Sequence, residues 1–345
     1  MEANPASVRP AVPNCAPDPT PERTKPEKYL ARVNKLSTLL LVALPLLAAG
    51  CGKQTAPQRV DTRERGAPVI VGGGRLVDVG GHRLYLRCAG SGSPTVLLEA
   101  GFGGSSSDWR DTQRDLARTT RTCAYDRAGL GSSVGRPGVH DASDEIRDLQ
   151  QLLFSARIPP PYVLAGHSYG GLLTRLYAHA HPRDVAGLVL VDADGRNATQ
   201  RQLAIWPESV EPDARKEAAE PVVNDVDVRS SETLDARVRS LGDLPLIVIE
   251  AGRHEQAFGP DKTPLWHAEA RLWSRMQREL ARLSSDHVHV LARRSDHFVQ
   301  RIDGQPRVVA DALRAVVRAA REKTRLPPCA ALFHGAAVRC LSGEG

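Results

Sequence analysis

The residues with the clearest capacity for chemistry are Gly166-His167-Ser168-Tyr169-Gly170. They follow the apolar run Tyr162-Val163-Leu164-Ala165 and precede Leu172, Leu173, Leu176 and Tyr177 at helical spacing. Strand, tight turn, then helix is the context in which Gly-x-Ser-x-Gly forms a nucleophile elbow, with the serine on a strained turn. Gly166 and Gly170 leave room for the helix to pass close to the strand, and Gly171 extends that small surface. The pattern alone occurs by chance in many chains; its place after a buried strand argues against chance. A hydroxyl is a poor nucleophile at neutral pH, so an imidazole must take its proton and a carboxylate must hold that imidazole in the right tautomer. The oxyanion formed on attack also needs donors.

Other elements must hold these groups in place. Short apolar runs at Thr95–Glu99, Thr122–Tyr125, Tyr162–Ala165, Gly187–Val191, Leu246–Glu250 and His287–Leu291 read as buried strands, and Val69–Val71, Arg75–Val79 and His82–Cys88 as early strands between glycine turns. Ile146, Leu149, Leu152 and Leu153 recur at helical spacing behind Ser143 as the expected cap, and Val309, Leu313, Val316, Val317 and Ala320 do so near the end. Strands alternating with helices imply an α/β class and a mostly parallel central sheet flanked by helices. The alternation breaks at residues 194–243, a polar stretch with Pro207, Pro212 and Pro221. A structureless loop of about 50 residues is uncommon inside a compact domain, so a small helical lid is expected there.

Composition narrows the function. The 345 residues are 41% hydrophobic and 25% charged, which describes a globular chain with a sizeable core. The formal charge of +6 comes from basic residues dispersed among acids, without the basic stripe that tracks a phosphate backbone, so nucleic acid is not an expected partner. The six cysteines include no C-x-x-C pair, and no metal or organic cofactor is indicated.

The N-terminus is organised differently. Residues 1–35 are proline-rich and charged and are expected to be disordered; translation from Val33 would leave most of them out. Residues 36–52 carry no charge, and Leu39-Leu40-Leu41-Val42-Ala43-Leu44 after Arg32 and Lys35 has the order of a secretory signal. Leu47-Ala48-Ala49-Gly50-Cys51 resembles a bacterial lipobox, which implies lipidation at Cys51, export and a membrane anchor. A plain signal peptide and an uncleaved anchor are the alternatives. Residues 53–68 read as a tether, 69–325 as the folded domain and 326–345 as a C-terminal tail.

Two further segments make the match specific. Leu97-Leu98-Glu99-Ala100-Gly101-Phe102-Gly103-Gly104 with Asp108-Trp109 resembles the strand and oxyanion loop of α/β-hydrolases, except that Glu99-Ala100 replaces an apolar residue and a histidine. Tyr125-Asp126-Arg127-Ala128-Gly129-Leu130-Gly131-Ser132-Ser133 resembles the segment after that family's next strand. The resemblance covers roughly residues 70–325. It implies the α/β-hydrolase fold, Ser168 as nucleophile, and oxyanion donors on the backbone N–H groups of Phe102 and Tyr169.

The resemblance also places the general base at His297, in Ser295-Asp296-His297-Phe298-Val299, although Asp296 stands where the family usually has glycine. His167, His287 and His289 are expected to pack. The acid is left between two residues: Glu255, three after Gly252, is ranked first, and Asp192, in Leu190-Val191-Asp192-Ala193-Asp194, second. The family's strand order makes the strands of Cys88 and Cys123 neighbours and so implies a Cys88–Cys123 disulfide, and a Cys329–Cys340 bond is expected to clamp the tail. Idle thiols are the competing reading. The expected activity is carboxylic-ester hydrolysis of a small-molecule acyl substrate through an acyl-enzyme. Peptidase or lactonase chemistry with the same groups stays open, as does a catalytically silent binding protein.

Overall fold

The computed structural model describes residues 73–207, 215–216, 219–253, 264–301 and 303–341. The expected disordered lead, the signal segment with Cys51, the tether, the strand at Val69–Val71 and Glu255 lie outside the described residues.

The first half of the chain runs β1 (Arg75–Asp78), β2 (Arg83–Ala89), β3 (Thr95–Glu99), a 3-10 turn (Ser106–Trp109), α1 (Arg110–Leu116), β4 (Thr122–Tyr125) and α2 (Ala142–Ser155). It continues through β5 (Tyr162–His167), α3 (Tyr169–Ala180) and β6 (Val185–Val191). Next come α4 (Ala198–Ile205), a small hairpin of β7 (Val222–Val223) and β8 (Val226–Asp227), and α5 (Val228–Asp235). The last part is β9 (Leu246–Ala251), α6 (Pro264–Ala281), β10 (His287–Ala292), α7 (Pro306–Glu322), α8 (Cys329–Leu332) and β11 (Val338–Cys340).

Among the described residues nine strands form one sheet in the order β1-β2-β4-β3-β5-β6-β9-β10-β11. It is parallel from β4 to β10 and antiparallel at both ends. From β3 the chain steps outward to β4 and then back across β3 to β5. Such a reversal opens a crevice at the carboxyl ends of the strands, where the loops after β3 and β5 meet.

Strand alternation explains the two-layered core. Val163 and Ala165 of β5 pack with Trp109, Leu116 and the α7 residues Val309, Leu313 and Val316. Leu164 of the same strand packs on the opposite face with Leu152 and Leu153 of α2 and Tyr177 of α3. With both faces covered, the strands read as continuous apolar runs. The cap of α2 is Asp141 and not Ser143: the Asp141 carboxylate accepts from the Ser143 N–H at 2.9 Å, and Asp144 reaches back to the Asp141 N–H. The carboxylate outcompetes the hydroxyl because Asp141 and Asp144 together complete a capping box.

In the 194–243 stretch, α5 packs on α2 and α3 while α4 packs on α6. Arg175 of α3 and Asp235 of α5 form a fully buried two-pronged ion pair, with N–O distances of 3.0 and 2.6 Å. Cys88 and Cys123 face each other across β2 and β4 and are bonded, with Cα atoms 4.0 Å apart; Cys329 and Cys340 are also bonded. The second bond fastens β11 beside β10, so the sheet continues past residue 325, where the sequence suggested a tail. A three-residue strand carries no legible alternation. Among the described residues no helix is long and apolar enough to cross a membrane.

Candidate active site

Ser168 links β5 directly to α3, with φ 51° and ψ −125°. A non-glycine residue at positive φ costs about 1–3 kcal/mol and persists only where its surroundings impose it. Here the Ser168 N–H donates to Val191 O at 3.2 Å, and Ser168 O accepts from the N–H groups of Gly171 at 2.8 Å and Asp194 at 3.1 Å. The flanking glycines are obligatory. A Cβ on Gly166 would lie 2.3 Å from Gly170 O, and one on Gly170 would lie 2.5 Å from Ala100 O.

His297, on the loop after β10, donates from Nδ1 to Asp192 Oδ2 at 2.7 Å. Asp192 follows β6, is 2% exposed and has φ 41°. Its other oxygen accepts from the Ala251 N–H at 2.9 Å and from Trp273 Nε1–H at 2.8 Å, so three donors fix the carboxylate. The surrounding protein pushes the His297 pKa down, but the Asp192 hydrogen bond and the charges of Asp192, Asp194 and Asp296 outweigh this and leave it raised. The residue named first as acid, Glu255, lies outside the described residues, so the observed partner of His297 Nδ1 is Asp192.

Ser168 Oγ donates to Asp194 Oδ1 at 3.3 Å. Burial raises the Asp194 pKa, against the opposing pull of His297 and Arg175. Asp296 accepts from the Phe298 N–H at 2.9 Å and so caps the turn that carries His297.

The three histidines expected to pack have structural partners. His167 Nε2 donates to the carbonyl oxygen of His297 at 2.8 Å, its ring packs on His297 and Phe298, and burial drives its pKa well below the ordinary value. His289 pairs with Glu250 at 2.9 Å, and His287 donates to Ser284 O.

Two residues that sequence reasoning did not single out, Arg127 and Glu145, support the loop after β3. Arg127, 5% exposed, donates to the carbonyl oxygens of Ala100 at 2.6 Å and Gly101 at 2.7 Å, and pairs with Glu99 at 2.6 Å and Glu145 at 3.2 Å. Glu99 also accepts from Tyr125 OH, and Glu145 accepts from Tyr169 OH at 2.8 Å. Burial, only partly offset by Arg127 and Tyr125, raises the Glu99 pKa to about 7. The signal was the departure at Glu99 itself: an acidic residue inside an apolar strand requires a cation. The Phe102 and Tyr169 rings meet edge to face at 5.4 Å.

A family model described as alpha/beta hydrolase fold matches residues 94–244, a span that includes the elbow and the loop after β3. Over 211 residues the chain is 28% identical to the uncharacterized protein YqjL of Bacillus subtilis (strain 168), covering 61% of this chain and 79% of that one. It is 34% identical over 113 residues to a protein of Azorhizobium caulinodans named "Putative carbamate hydrolase RutD"; the match spans 33% of this chain and only 42% of that one. Among solved structures, a thermophilic esterase from Thermogutta terrifontis superposes with a TM-score of 0.52 at 19% identity, over 72% of this chain and 99% of that one. The parallel sheet, the strand order and these likenesses identify the architecture: the chain has the α/β-hydrolase fold.

Proposed function

We propose that this protein is a serine hydrolase that cleaves carboxylic esters through an acyl-enzyme on Ser168, with His297 as general base and Asp192 as the acid that orients it. The observation that carries the reading is the 2.7 Å bond from His297 Nδ1 to a triply held Asp192, beside an elbow serine at positive φ. With Nδ1 committed as donor, the Nε2 lone pair is left to accept the serine proton.

In the first half-reaction the Ser168 hydroxyl turns from Asp194 to His297 Nε2. Oγ bonds to the ester carbonyl carbon as its proton passes to the imidazole, and the carbonyl oxygen takes the negative charge. Collapse breaks the bond to the alkoxy oxygen, which leaves as the alcohol with the proton from His297. Water repeats the sequence on the acyl-enzyme, releasing the acid and restoring Ser168. The Phe102 and Tyr169 N–H groups are assigned as oxyanion donors.

A second reading rests on the Ser168–Asp194 hydrogen bond: a serine held permanently by Asp194 would make the chain a silent binding protein. Labelling with a fluorophosphonate probe separates the two. Modification of the native protein that is lost in Ser168→Ala supports the hydrolase; an unlabelled native protein supports the silent form. A series of p-nitrophenyl esters of graded chain length then defines the acyl preference.

For location, we propose export with lipid attachment at Cys51. Metabolic labelling with an alkynyl fatty acid should mark the native protein and not Cys51→Ser; equal labelling of both would refute it.

A further inference from the structure

We propose that Arg127 is a positioning residue that aims the oxyanion donor at Phe102, with Glu145 holding it in place; the inference rests on the serine-hydrolase reading above. The Gly101 carbonyl and the Phe102 N–H belong to one planar trans peptide unit, so fixing the direction of one fixes the other, pointing the opposite way. Arg127 grips that unit by Gly101 O at 2.7 Å and the preceding unit by Ala100 O at 2.6 Å. Two consecutive peptide planes are thus held by one rigid guanidinium fork, with the Gly104 N–H a second donor to Gly101 O at 3.1 Å.

The second donor is held by the same principle with different partners. Ser168 O and the Tyr169 N–H share a peptide unit, and Ser168 O is fixed by the Gly171 and Asp194 N–H groups. Glu145 joins the two halves: one carboxylate oxygen lies 3.2 Å from Arg127 Nε and the other accepts from Tyr169 OH. A cation donating to the Gly101 carbonyl also polarises that peptide, which makes the Phe102 N–H a stronger donor. Glu99 and Glu145 flank the guanidinium, so its positive charge does not lie uncompensated in the interior.

The test uses Arg127→Lys and Glu145→Gln in the otherwise native protein. A lysine keeps the charge but cannot hold both carbonyls. In Glu145→Gln the new side-chain amide keeps a partner for Tyr169 while losing the charge that anchors Arg127. For p-nitrophenyl acetate the expected result is a fall in kcat of about 10- to 100-fold in Arg127→Lys, approaching the loss of a whole oxyanion donor, with KM within about threefold. Glu145→Gln should show a smaller fall of the same kind. Inhibition by an alkyl trifluoromethyl ketone, whose hemiketal oxyanion needs the donors, should weaken in step with kcat. A merely structural role would instead reduce the folded fraction and leave kcat per folded molecule and inhibitor affinity unchanged.

Circular dichroism measures folded protein for each variant, and if Arg127→Lys does not fold, Glu145→Gln decides. Native kcat and native inhibitor affinity in the folded variants would overturn the proposal, as would a rise in KM alone. Ser168→Ala keeps the two readings apart. If it abolishes activity while the Arg127 and Glu145 variants stay native, only the positioning proposal fails; if it retains activity, the serine-hydrolase reading fails and the proposal with it.

Discussion

Asp192 and His297 are 105 residues apart in sequence and 2.7 Å apart in space, and Asp192 reaches its partner from a left-handed backbone conformation. The turn after β6 must bend that way to aim the carboxylate across the carboxyl end of β9 while Ala251 and Trp273 secure its second oxygen. Asp192→Asn can present a donor where His297 Nδ1 needs an acceptor, which favours the wrong tautomer. Turnover of p-nitrophenyl acetate should fall on the order of 10⁴-fold, as for other triad acids. Glu255→Gln should leave turnover near the native value; the reverse pattern would reassign the acid.

The same pair sets the pH dependence. In the proposed mechanism His297 must be neutral to act as the base, and its pKa is raised above the ordinary 6.5. The acid limb of kcat/KM should therefore have its midpoint above pH 6.5, with activity rising as pH increases. Asp194→Asn removes one of the charges that favour the imidazolium, so its midpoint should move to lower pH. The linkage to stability has the opposite direction. A raised histidine pKa adds stability that is fully present below about pH 6.5 and is lost as pH climbs through the folded-state value. Activity profiles and urea melts across this range check both signs.

Arg175 and Asp235 are completely buried, and their pairing pins α5 onto α3, the helix that begins beside Ser168. Removing one partner leaves a buried charge uncompensated. Asp235→Asn should lower unfolding free energy by about 3–5 kcal/mol, measured by urea denaturation. A loss under about 1 kcal/mol would mean that the guanidinium finds water or another acceptor.

The Cys329–Cys340 bond closes a short loop, 11 residues in sequence separation. Replacing both cysteines by alanine should cost about 2–4 kcal/mol, chiefly by enlarging the unfolded ensemble. Under non-reducing conditions the double variant should melt below the native protein, while reductant, which also reaches Cys88–Cys123, should lower the native melt at least as far; a double variant that melts like the native protein would count against the bond.

The elbow was legible because its constraints are local: Gly166 and Gly170 answer to close backbone approaches, and the flanking strand and helix carry their own periodicity. The parallel sheet was legible because the inner strands are apolar on both faces. Asp192 was harder to rank, since its role depends on which strand ends lie beside β6, a matter of topology that no short motif encodes. Arg127 was opaque for another reason. It grips main-chain carbonyls, which leave no trace in side-chain identity, and only the misfit of Glu99 in an apolar strand hinted at a buried cation. The Asp194 contact with Ser168 was equally unannounced, because an aspartate shortly after a strand end is common in turns.

The two outermost strands of the sheet, β1 and β11, have four and three residues. An open sheet offers unpaired amides and carbonyls at its rims, and long apolar rims recruit other chains into mixed sheets and aggregates. Here the rim beside β10 is covered by a stub too short to template a neighbour and covalently fastened by the Cys340 sulfur. Loss of that stub would uncover Val290, Leu291 and Ala292 as a bare apolar border. The closing strand thus bears on colloidal behaviour as well as on folding: it occupies the β10 edge that would otherwise be open to pairing.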